Sequence, residues 1–153
     1  MLKNHFIRLF QYNHWANFRY FEFFKNVEQV PERIQLLASH VITAQKVWLS
    51  RIVGNPDLKT HIWEKLDWET LEKMAAENTK NWLAYLESAD DLEFERVMSY
   101  QNFQKIDYQN LVSDIITQNA NHATYHRAQY AVLLRQNGID PPNTDFITFA
   151  RGL

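Results

Sequence analysis

One line of residues governs what this chain can fold into. Ile115, Asn119, His122, His126, Tyr130 and Leu133 step by 4, 3, 4, 4 and 3, the period of a single helix face. Ile115, Tyr130 and Leu133 mark that face as core-directed, so Asn119, His122 and His126 are carried inward with it. A polar group taken out of water needs a partner. The fold must therefore bring something to each of them, and a neighbouring helix is the natural source.

The chain suits long helices. It has only 3 Gly and 4 Pro in 153 residues, too little turn chemistry for a sheet-rich domain. With 46% hydrophobic and 14% aromatic residues, a chain of this length folds as a globular domain, and residues 1–153 read as a single one. Helical spacing over Phe6, Leu9, Phe10, Asn13, Asn17, Phe21 and Phe24 predicts a first helix from about Lys3 to Asn26. The phenylalanine run Phe18 to Phe24 reads as core, or as a dimer face if it extends around that helix. Pro31 suits the start of a second helix, which continues through Ile34, Leu37, Val41, Ala44, Trp48 and Ile52 and stops at Gly54-Asn55-Pro56. A loop containing Trp63 follows, and Asp67 then caps a third helix over Trp68–Leu86. Asp91–Tyr108 reads as a short hairpin or an extended loop. A long fourth helix covers Gln109 to Asn137, with Gly138 at its end and Pro141-Pro142 forcing a corner. Thr144 to Arg151 forms a short last helix. Four long helices of this kind point to an all-α, antiparallel bundle.

His40 repeats on the second helix what the first line shows on the fourth. It lies on Arg33, Leu36, His40, Ala44, Val47, with steps of 3, 4, 4 and 3. If these helices are neighbours, His40, His122 and His126 converge. Three neutral imidazoles suit a first-row divalent ion such as Zn²⁺, Ni²⁺ or Fe²⁺ and leave a coordination position for water or substrate. The other reading is a set of core histidines hydrogen-bonded to Asn119, Gln118 or backbone. Gln129 is a candidate hydrogen-bond partner for a ligand histidine. Asn13 and His14 are weaker candidates for the site, Tyr125 is a candidate packing residue, and His5 and His61 read as surface residues.

Several classes are excluded or weakened. A formal net charge of -2, without a Lys/Arg block, gives no nucleic-acid footprint. No apolar run suits a membrane span, and the N-terminal residues do not read as a signal peptide. With Cys at 0, disulfides, thiolate ligands and a cysteine nucleophile are all removed, which fits a cytoplasmic setting and means that any thiol must come with the substrate. Ala123 stands where a zincin protease would carry its glutamate, and neither the Glu-x-x-His element of di-iron bundles nor a glycine-rich phosphate loop is present.

The chain resembles the DinB/YfiT-like family of small bundle metalloproteins. The matching elements are Tyr12-Asn-His-Trp-Ala-Asn17, Ser39-His40, His122-Ala-Thr-Tyr-His126-Arg-Ala-Gln129, and Gly138-Ile-Asp-Pro-Pro142 followed by Thr144-Asp145-Phe146. The resemblance implies an up-down-down-up four-helix bundle, a homodimer, and a metal held by the histidines at positions 40, 122 and 126. It also implies a metal-dependent enzyme acting on a small molecule, of thiol S-transferase or hydrolase type, with a low-molecular-weight thiol as cofactor. The competing expectation is a non-enzymatic dimeric metal-binding module for stress response or sensing.

Overall fold

The computed structural model describes residues 2–152. In chain order the elements are helices α1 (Leu2–Phe24), α2 (Glu32–Ile52), α3 (Trp68–Ser88) and α4 (Asp91–Glu95), strands β1 (Val97–Gln101) and β2 (Asp107–Leu111), and helices α5 (Val112–Gln136) and α6 (Phe146–Ala150). The protein is mostly helical, with the four long helices α1, α2, α3 and α5 carrying most of the chain.

Local chemistry sets the boundaries. The Asp67 carboxylate accepts from the Thr70 amide at 2.9 Å and so starts α3. Pro31, extended at ψ 128°, lies just outside α2, where its carbonyl accepts from the Ile34 amide at 2.9 Å. Gly54 (φ 75°) and Gly138 (φ 72°) follow α2 and α5 in the left-handed conformation that an L side chain would strain.

Long-range packing joins α1 to α3 and α5, and α2 to α3 and α5. One apolar cluster gathers Tyr20, Phe24, Ile34, Leu37, Leu71 and Leu134; another gathers Phe6, Phe10, Trp82, Leu86, Phe94 and Ile116. Phe21 and Phe24 are buried, with Phe18 and Phe23 packed against the first cluster, so the phenylalanine run belongs to the core. Trp82 is fully buried and donates its indole N–H to the Gln45 carbonyl at 3.1 Å.

Along α1, Asn13 and Asn17 fall between the apolar residues of the two clusters. Both are buried and both accept from one Arg127 guanidinium nitrogen, at 2.5 and 2.9 Å. The other terminal nitrogen donates to the Thr124 hydroxyl at 3.0 Å, and the Tyr12 ring lies 5.3 Å from the guanidinium carbon. This buried cation ties α1 to α5 with neutral acceptors alone.

The structure corrects four expectations. The hairpin alternative between the third and fourth long helices is the one that forms, β1 pairing antiparallel with β2 from Val97↔Leu111 to Gln101↔Asp107, so the chain is not purely all-α. That pairing draws residues 109–111 into a strand, so α5 begins at Val112 rather than Gln109. Asp91–Glu95 is a helical turn instead of extended chain, because the Asp90 carboxylate accepts from the Glu93 amide at 2.9 Å and Phe94 is buried at 1% exposure. The first helix also ends at Phe24, two residues short of Asn26.

Truncating Trp82 to alanine removes both core volume and the indole hydrogen bond. Urea unfolding is expected to show a loss of ~3–5 kcal/mol. Leu92→Ala, at a side chain 75% exposed, is expected to stay within about 0.5 kcal/mol of the parent.

Candidate metal centre

His40 on α2 and His126 on α5 are each 7% exposed, and His122 on α5 is half-buried. Helices α2 and α5 pack together. The Nε2 atoms of His40 and His122 are 3.1 Å apart, and those of His126 and His122 are 3.0 Å apart. The rings meet at steep angles, 77° for His40 with His122 and 90° for His122 with His126, so their Nε2 atoms converge instead of the rings stacking.

The outer nitrogens decide what the inner ones carry. His40 Nδ1 is 2.9 Å from the Ile62 carbonyl, which can only accept, so Nδ1 holds the proton. His126 Nδ1 faces the Gln129 amide oxygen at 2.8 Å, with the same consequence. In neutral rings both Nε2 atoms are then bare lone pairs. His122 Nε2 sits against both, and its one N–H can satisfy only one of them. At least one close N···N contact is therefore left with no proton between its nitrogens unless a cation sits among them.

A divalent ion fits this donor set. Metal–imidazole bonds of ~2.0–2.1 Å about one tetrahedral ion put adjacent nitrogens about 3.3 Å apart, close to the observed 3.0 and 3.1 Å. Ring charge points the same way. Burial lowers the His40 pKa, with the Ile62 carbonyl opposing and His126 and Arg33 assisting. Burial, reinforced by His126 and His40, pushes His122 down to about 4. Both rings are thus kept neutral and able to act as ligands near pH 7.

The α2–α3 loop builds one wall of the site. Trp63 stacks on His40 with centroids 3.8 Å apart and planes 7° from parallel. The loop is fastened where Ser39 Oγ accepts from the Leu66 amide at 3.0 Å and Gln35 donates to the Leu66 carbonyl at 2.8 Å. Further back, the Asp57 carboxylate accepts from the Thr60 hydroxyl and from the Lys59 and Thr60 amides. The Thr60 hydroxyl is the largest cause holding the Asp57 carboxyl well below the usual carboxylate range. Beside His40 and His122 opens a cavity of ≈ 260 Å³, walled by Trp48, Arg51, Tyr100 and Phe103.

The structure brings His40, His122 and His126 together, with Gln129 behind His126. Asn119 takes no part: it is buried and returns its amide to the Ile115 carbonyl of its own helix at 2.8 Å. Gln118 lines the cavity, while the backbone partner of the histidine set is the Ile62 carbonyl. Asn13 is engaged by Arg127, and His14 meets Thr79 on α3 at 3.3 Å, so neither joins the cluster. Tyr125 is 64% exposed and sets its edge against His126, while His5 and His61 are exposed. Sequence reasoning missed Ile62, the stacking role of Trp63, and Arg51. The Ile62 contact is a backbone carbonyl, which leaves no trace in residue identity.

In chelator-treated protein, His122 is expected to titrate near 4 by NMR, while an unfolded histidine titrates near 6.5. The unfolded chain then binds more protons between those values, so this group's contribution to stability is present above 6.5 and falls as pH drops toward 4. Asparagine at position 122 is expected to flatten that slope in urea unfolding. An unchanged slope would contradict the assignment.

A family model described as the DinB family matches residues 1–152. The chain is also 24% identical, over 157 aligned positions, to Protein DinB of Bacillus subtilis (strain 168), an alignment covering 91% of this chain and 90% of that protein. With the match running over nearly all of its length, the chain belongs to the DinB family.

Proposed function

We propose that His40, His122 and His126 hold one divalent first-row ion, Zn²⁺, Ni²⁺ or Fe²⁺, through their Nε2 atoms, and that the protein is a metal-dependent transferase or hydrolase acting on a small molecule. The observation that carries this reading is the convergence of three Nε2 atoms at 3.0 and 3.1 Å while the outer nitrogens of His40 and His126 are tied to acceptors. A bound ion of this kind lowers the pKa of a thiol or water ligand and so makes a nucleophile available near neutral pH.

The chain's own residues do the rest. Ile62 and Gln129 orient two of the rings, and Trp63 shields one face of His40. The cavity beside His40 and His122 supplies room for a substrate. A low-molecular-weight thiol is the co-substrate we favour for an S-transfer reaction, since the chain has no cysteine of its own.

One observation favours a second reading, a non-enzymatic metal-binding module for stress response or sensing. No Asp or Glu lines that cavity among the described residues, so no carboxylate stands ready as general base. Turnover with low-molecular-weight thiols and an electrophile, abolished in His126→Ala, separates the enzyme from the module.

We further infer that the four long helices form a single-domain, up-down-down-up four-helix bundle that works as a cytoplasmic homodimer. The packing of α1 and α2 each against α3 and α5 supports the bundle, and the exposed Tyr125 and Val132 on α5 offer apolar surface to a second copy. Among the described residues no helix is long and apolar enough to cross a membrane.

Elemental mass spectrometry of untagged protein is expected to find close to one divalent ion per chain, lost in His122→Ala and in His126→Ala. Gln129→Leu is expected to keep the site but weaken metal affinity by roughly 10–100-fold, because His126 loses its orienting partner. No metal, even after reconstitution with Zn²⁺, Ni²⁺ and Fe²⁺ in turn, would sink the reading.

A further inference from the structure

Arg51 lies in the last turn of α2 and lines the same cavity as His40 and His122. Its guanidinium carbon sits 4.8 Å from the Trp48 ring centroid, 5.2 Å from Phe103 and 5.5 Å from Tyr100. Trp48 meets Tyr100 edge-on at 5.0 Å, and Tyr100 stacks on Tyr108 at 5.8 Å. The hairpin thus closes an aromatic box around a cation whose other wall is α2.

Aromatic faces attract a cation but accept no conventional hydrogen bond along its N–H edges. Among the described residues Arg51 has no ion-pair partner, and none of its guanidinium N–H groups donates to a protein acceptor. By contrast, the neighbouring Arg96 is paired with Glu93 at 2.7 Å and also bonds the Ile52 carbonyl at 3.1 Å. A basic residue in the last helical turn complements the helix dipole, which explains a cation at position 51 but not five unclaimed donors inside a box.

The surrounding charge adds to this. Three neutral imidazoles contribute nothing to offset a divalent ion, and no acidic side chain lines the cavity among the described residues. Both ends of the space therefore favour negative charge. At ≈ 260 Å³ the cavity is below the size that takes a drug-like ligand. A planar guanidinium fork with free donors matches a carboxylate in two parallel hydrogen bonds.

We propose that Arg51 is the substrate-recognition residue of this site, binding a carboxylate on a small substrate or thiol whose other end reaches the three histidines, with Trp48, Tyr100 and Phe103 gripping the carbon chain between. This rests on the metal-centre reading of His40, His122 and His126 and names the substrate class for it.

The test uses the full-length protein loaded with Co²⁺, whose thiolate charge-transfer band reports ligand binding without turnover. The probes are 3-mercaptopropionate and 4-mercaptobutyrate, each against the uncharged amide of the same length. The carboxylates are expected to bind roughly tenfold or more tightly than the amides. Arg51→Met is expected to erase that preference, and Arg51→Lys to restore part of it as a point charge. Equal binding of acid and amide by the parent protein, or a preference kept in Arg51→Met, would overturn the proposal while cobalt uptake leaves the metal reading intact. If no cobalt is taken up, the metal reading fails instead. The same acid and amide pairs followed by NMR in metal-free protein then decide: an Arg51-dependent preference supports the carboxylate subsite, and its absence overturns it.

Discussion

Two hydrogen bonds on the outer edges of imidazole rings determine the rest of this structure's chemistry. The Ile62 carbonyl fixes the proton of His40 on Nδ1, and the Gln129 amide oxygen fixes that of His126 in the same way. Both rings must then present lone pairs inward, and His122 stands between them with one proton to give at most. An arrangement of this kind is unfavourable in an empty pocket and favourable around a cation. Keeping it demands that α2 and α5 face each other, and that the α2–α3 loop fold back far enough to deliver Ile62. Ser39, Gln35 and Asp57 secure that loop away from the histidines.

The fold isolates this site from a second buried polar group. Arg127 follows His126 directly in sequence but turns toward α1, where Asn13 and Asn17 take up one terminal nitrogen while Thr124 of its own helix takes the other. One helix therefore carries two polar faces: the histidine face meets α2, and the arginine face meets α1. Adjacent residues on a helix diverge by 100°, which is why His126 and Arg127 can serve different neighbours without competing. The arginine link joins α1 to α5, and the histidine cluster joins α2 to α5, so α5 is the element on which both depend.

Much of this was legible in the sequence, and what was not has physical reasons. The 3–4 spacing of His122 and His126 among apolar residues identifies a core-facing helix, and the same spacing around His40 identifies its counterpart. Gly54, Asp67 and Gly138 mark helix ends because each has a conformational or capping role that residue type reveals. The start of α5 was not legible: Gln109, Asn110 and Leu111 suit a helix locally, and only pairing with β1 draws them into a strand. Asn119 shares the stripe of the histidines yet turns back on its own helix, since a short amide can satisfy itself on the Ile115 carbonyl where an imidazole cannot. The role of Arg51 emerges only in three dimensions, where a hairpin more than 40 residues away in sequence surrounds it with rings.

The central claim is that three imidazole nitrogens share one ion and leave part of its coordination sphere for a ligand. X-ray absorption spectroscopy of zinc-loaded protein addresses it directly. The account predicts three imidazole nitrogens at ~2.0–2.1 Å with one or two further light-atom ligands, and replacement of one of these by sulfur when a small thiol is added. A spectrum with fewer than three imidazoles, or a closed four-ligand protein shell that a thiol leaves untouched, would contradict it.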